Sequence, residues 1–164
     1  MSRRAWLIGN ALWLQAGWWG CVLGARQPWF LWAVVAGLIM HLRLCPDWRA
    51  ELRVVLGIGL AGCVLDSLLG VIGVFDFASL PIWLALLWLV LASGLRHSLG
   101  WMRTPLWLGV MCGMIGGPLA YLAGAKLAGV GLPLGTQGTV LVLAPLWALW
   151  FPLCLRWTGS NTHE

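Results

Sequence analysis

Apolar residues fill this chain in long runs, broken at intervals by short polar stretches rather than alternating with them. A membrane-crossing helix needs about 20 mostly apolar residues, with about 17 as a lower bound. Six runs approach that length: 6–25, 29–44, 54–75, 80–95, 105–125 and 136–155, of which the second and fourth are the shortest. No run has the strict period of two that marks a half-buried strand, so the predicted class is all-α. The first run follows Ser2, Arg3 and Arg4, an arrangement also found in secretory signals. It continues to Ala25 and carries Trp13, Trp18 and Trp19 without a small-residue cleavage site, so a retained helix is expected.

The polar stretches decide the orientation. With the N-terminus placed in the cytoplasm, the connections on that side hold Arg3, Arg4, Arg43, Arg49, Arg53, Arg96, Arg103 and Arg156, while the opposite side holds only Arg26 and Lys126. Short loops rich in Lys and Arg are the ones retained in the cytoplasm. The expected architecture is therefore a single domain over 1–164: a compact bundle of six transmembrane helices, multi-pass, with both termini inside. The first cytoplasmic loop, 46–53, reads as a short interfacial turn leading into the third span. Its carboxylates, Asp47 and Glu51, lie two residues from Arg49 and Arg53, a spacing at which helical side chains do not face each other. The Gly- and Leu-rich segment 126–135 reads as a surface loop, with a partly re-entrant course as the alternative.

Composition narrows the class further. Of 164 residues, 61% are hydrophobic and 9% charged, against about 25% charged in soluble domains. The 14 Trp residues suit the headgroup level, and the 22 Gly residues suit close helix contacts. The net charge of +5 is scattered through short connections without a basic stripe, which points to anionic headgroups and away from nucleic acid. Cys21, Cys45, Cys63, Cys112 and Cys154 stand singly, with no CxxC, and define neither a disulfide framework nor a metal-ligand set.

Four intramembrane polar residues are candidates for a site. Asp66 follows Arg53 by a distance that puts it near the bilayer centre, where a lipid-facing carboxylate is costly. It reads as a buried hydrogen bond joining helices or as a substrate or proton site. Gln15, nearer mid-depth than Asn10, is its expected partner, and Tyr121 is a hydroxyl donor one turn beyond Pro118. In the fifth run Gly109, Gly113 and Gly117 recur every four residues, with Gly116, Ala120 and Gly124 on an adjacent line. Such spacing lets helix backbones approach closely, here within the chain in preference to a homodimer contact. Pro118 is expected to kink that helix. His41 and Arg43 end the second run at the level where Arg96 and His97 end the fourth, a basic cluster suited to a phosphate headgroup or to snorkelling. The two histidines lack a carboxylate or cysteine at a recognised metal spacing, so no metal site is expected. No nucleophile triad, phosphate loop or nucleotide fingerprint occurs, and neither a catalytic residue nor a cofactor is assigned.

The chain resembles a family of small bacterial inner-membrane proteins, domain of unknown function 2878. The carrying residues are Asn10 with Trp18-Trp19, Trp48-Arg49-Ala50-Glu51-Leu52, Asp66 and Gly73, Pro81-Ile82-Trp83, and Gly116-Gly117-Pro118-Leu119-Ala120-Tyr121. Members of that family look like companions of lipid-modifying and cyclopropane-type fatty-acid genes, so the resemblance implies a membrane-lipid role and supplies no catalytic assignment. The expected function is a non-enzymatic accessory or binding protein for membrane lipid or another amphiphile, as a monomer or homodimer. Alternatives are a small carrier or substrate-binding component for an apolar solute and, third, an intramembrane enzyme.

Overall fold

The computed structural model describes residues 2–160, and these are helical almost throughout. Six α-helices follow one another: α1 (Arg3–Gly24), α2 (Trp29–Leu44), α3 (Trp48–Val71), α4 (Ile82–Leu95), α5 (Leu106–Ala128) and α6 (Gly135–Ser160). A 3-10 turn, Gly100–Arg103, precedes α5. The described residues contain no strand, only one isolated bridge between Asp76 and Gly131.

Local chemistry sets the ends. Ser2 opens α1, its hydroxyl accepting from the Ala5 N–H at 3.2 Å. Asp47 does the same for α3, taking the Ala50 N–H at 3.3 Å while its carbonyl takes that of Glu51 at 3.0 Å. A side-chain oxygen at this position satisfies an amide left unpaired in the first turn. The helix consequently begins at Trp48 rather than Val54, and the stretch expected as an interfacial turn is its first two turns. At the other end Gly73 takes φ +78°, and the Val74 N–H reaches back to the Leu69 carbonyl at 2.9 Å. That left-handed closure stops α3 short of Phe75. Gly129, also at φ +78°, ends α5 with the same geometry on Ala125.

Among the described residues, three helices are long and apolar enough to cross a membrane: α3, α5 and α6. α2 and α4 are apolar but short, at 16 and 14 residues, and α1 is long but carries Arg3, Arg4, Asn10 and Gln15.

The described residues divide into two compact units, 2–64 with 81–100 and 65–80 with 101–160. In the first, α1 packs on α2 and α4, and α2 on α4. Its core is Cys21, Val34, Leu38 and Val90, surrounded by Trp13, Leu14, Leu86, Leu87 and Leu89. In the second, α5 and α6 pack along their length. Gly113 carries that contact: a Cβ there would strike the Trp147 carbonyl oxygen, and at Gly117 one would enter the Trp147 ring. Gly116 meets nothing within 4 Å, so the adjacent line of small residues is not part of the α5–α6 contact at that point. α5 is continuous through Pro118. Arg103 closes the far end of α6, donating from Nε to the Leu155 carbonyl at 2.9 Å and from a terminal nitrogen to Thr158 at 3.0 Å. A cation is favourable there because unpaired carbonyls point out of the helix. α5 runs on to Ala128, so the connection expected over 126–135 is only 129–134, and it is tied down by the Asp76 N–H, which donates to the Gly131 carbonyl at 3.0 Å.

Candidate functional site

A dense polar cluster lies at one end of the first unit, where the start of α1, the end of α2, the start of α3 and the turn after α4 converge. Glu51 is its centre and is completely buried. His41 in the last turn of α2 approaches Glu51 Oε1 through Nε2 at 3.0 Å. Arg96, the residue closing α4, donates to Oε2 at 3.3 Å, and His97 Nε2 lies 3.2 Å from the same oxygen. The carboxylate only accepts, so both imidazoles present N–H at Nε2. Arg96 also reaches Asp47 at 3.3 Å, bridging the exposed cap of α3 to its buried carboxylate.

Trp6 closes the cluster from α1. Its indole N–H donates to His97 Nδ1 at 3.0 Å, and its ring stacks on His41 with centroids 5.6 Å apart and planes 19° from parallel. An indole nitrogen can only donate, so Nδ1 of His97 is the bare nitrogen and the ring's proton sits at Nε2, facing Glu51. Trp6 therefore fixes the tautomer of His97. Cys45, which ends α2, places its sulfur 4.0 Å from His97 Nε2. Burial, and then the negative charge of Glu51, push its thiol above the usual range. It stays a protonated neighbour of the cluster at neutral pH.

The basic group expected at this level is thus only partly assembled. His41, Arg96 and His97 meet, whereas Arg43 is exposed. The assembled part is not an open anion site, because Arg96 is already divided between two carboxylates. Glu51 was missed by sequence reasoning. Its signal was Asp47 after Pro46, a helix cap that places Glu51 one turn into α3 instead of on a loop.

A few residues away, Asn10 is buried and bonded on both ends of its amide. Its Nδ2 donates to the Ser93 carbonyl at 3.0 Å, and its Oδ1 accepts from the Ser98 N–H at 3.1 Å and the Ser98 hydroxyl at 2.6 Å. Trp13 adds an indole bond to the Ser93 hydroxyl at 3.0 Å. These bonds fasten α1 to the turn that carries Arg96 and His97. Asn10 is a positioning residue for the cluster.

Asp66 belongs to the second unit. It is completely buried and accepts from the Tyr121 hydroxyl at 2.5 Å. Tyr121 stacks on Phe75 at 5.3 Å and meets Trp147 edge-on at 5.8 Å, so the phenol is held between rings. Gln15, the expected partner, is exposed on α1. Because α3 begins at Trp48 and ends at Val71, Asp66 lies only about 8 Å from its C-terminal end, at 1.5 Å per residue, and not at its middle.

The family described as "Protein of unknown function (DUF2878)" matches residues 7–153. The chain belongs to DUF2878. Trp13, His41, Glu51, Asp66, Ser93, Arg96, His97 and Tyr121 all lie inside the stretch shared with DUF2878, and Trp6 sits just outside it. No curated protein and no solved structure matches the chain.

His41, Glu51 and His97 also offer one nitrogen, one oxygen and one nitrogen whose ligand atoms all lie within 4.8 Å of one another. Two imidazoles and a carboxylate are a donor set suited to first-row transition metals.

Proposed function

We propose that this DUF2878 protein is a six-span membrane protein with both termini on the arginine-rich, cytoplasmic side, and that it binds membrane lipid or a related amphiphile without chemical conversion. The observation that carries the reading is the contrast at one end of the first unit. The buried charges there compensate one another, while Arg3, Arg4, Arg43, Arg49 and Arg53 around them stay exposed. Arg49 lies over the ring of Trp48, itself 49% exposed, at 5.4 Å. An indole flanked by exposed guanidinium groups is suited to the headgroup layer, where each basic residue adds about 1 kcal/mol of attraction to anionic lipid. The polar groups inside, by contrast, are engaged with one another, which favours binding over catalysis.

Native mass spectrometry of protein extracted with its lipids tests this. The wild type should retain anionic lipid, and the variant with Arg43, Arg49 and Arg53 changed to Gln should lose most of it. Equal retention by both would contradict the reading, and reporter fusions placing either terminus outside would contradict the topology.

A second reading, a small carrier for an apolar solute, is favoured by Asp66. A fully buried carboxylate bonded to a phenol is a suitable proton-coupling pair. Uptake unchanged by Asp66→Asn would remove it.

A further inference from the structure

We propose that His41, Glu51 and His97 form a binding site for one divalent transition-metal ion of the zinc and cobalt class, and that Trp6 restrains its loading. The donor atoms come from three separate elements, the end of α2, the start of α3 and the turn after α4, yet converge within 4.8 Å. All three side chains are withdrawn from the surroundings, at 5%, 0% and 14% exposure. Arg96 holds the Glu51 carboxylate from outside, as the outer partners of metal ligands commonly do. A dication placed among two neutral imidazoles and one carboxylate would leave a single positive charge, while Asp47 offsets the charge of Arg96 beside it.

Coordination through Nε2 requires that nitrogen to be bare, so His97, whose Nδ1 is bare against the Trp6 N–H, must move its one proton from Nε2 to Nδ1. For His97 the new Nδ1–H would face the Trp6 N–H, donor against donor, at a separation now 3.0 Å. The indole must turn away or give up its bond for the ion to enter. Ligating histidines normally have an acceptor at the second nitrogen; here a donor stands there, and that is the restraint.

The test uses the full-length protein in detergent, stripped with a chelator and titrated with Co²⁺, followed by its visible absorption and by competition with Zn²⁺. One ion per chain is expected, with affinity reduced about a hundredfold or more in His97→Ala and in Glu51→Gln, in line with loss of a ligand. Trp6→Phe keeps the stacking ring and removes the opposing N–H, and should bind about tenfold more tightly, the equivalent of one hydrogen bond no longer sacrificed. A misfolded variant does not gain affinity, so this arm stands even where the ligand variants are unstable. No cobalt spectrum in either the wild type or Trp6→Phe would overturn the proposal. So would a spectrum that survives His97→Ala, and an affinity unchanged by Trp6→Phe would overturn the role of Trp6.

Discussion

Glu51 and Asp66 lie on the same helix, both without exposed surface, and their surroundings differ sharply. Glu51 sits among three nitrogen donors from two other elements, one of them a permanent cation. Asp66 accepts from a neutral phenol that is itself wedged between Phe75 and Trp147. A buried charge is tolerated when counter-charge and hydrogen bonds are supplied together, and the loss of one partner leaves the other stranded. The first carboxylate is therefore the hub of an ionic network and the second a member of an aromatic cluster. They should respond differently to the same kind of damage.

Truncation at the hub should be the most harmful. Glu51→Ala leaves Arg96 and two imidazoles facing one another in a buried space, and should lower unfolding free energy in detergent by about 3–5 kcal/mol. Tyr121→Phe removes one hydroxyl from Asp66 and keeps the ring, so a smaller loss of about 1–3 kcal/mol is expected. Equal losses in thermal or denaturant unfolding would erase the distinction between the two regions. A third substitution separates polar from steric contributions in the second unit. Gly113→Ala drives a methyl into the Trp147 carbonyl and should cost about 1–3 kcal/mol, whereas Gly116→Ala, with open space around it, should stay within about 0.5 kcal/mol of wild type.

Much of this was legible in the sequence, for identifiable reasons. Apolar run length gave the six α-helices, though not the first turns of α3 or the 3-10 turn before α5, because a run without strand alternation and bounded by Pro, Gly or charge leaves little choice. The same charges that set the threading put His41, Arg96 and His97 at one level, and unit one brings them together. Asp66 stood out because a carboxylate deep in an apolar span is costly, and Tyr121 because its hydroxyl follows Pro118 by one turn. The pairing did not follow, since a helical wheel gives directions around one helix and not which helix faces it. Gln15 was favoured on depth and is exposed. Glu51 was hidden differently. Read against its neighbours Arg49 and Arg53 it has no partner, and its real ones, at positions 41, 96 and 97, depend on how three helix ends pack. The α3 boundary was recoverable: Pro46-Asp47 is a helix start, and Gly73 is a stop.

The most direct test of Glu51 as hub is a double-mutant cycle with Arg96, using Glu51→Gln, Arg96→Met and the pair, each unfolded reversibly in the same detergent. If the two side chains form one buried ionic unit, the double variant should be more stable than the sum of the single losses predicts, by about 1–3 kcal/mol. Losses that add to within about 0.5 kcal/mol would mean the two residues act independently, and the network centred on Glu51 would not exist.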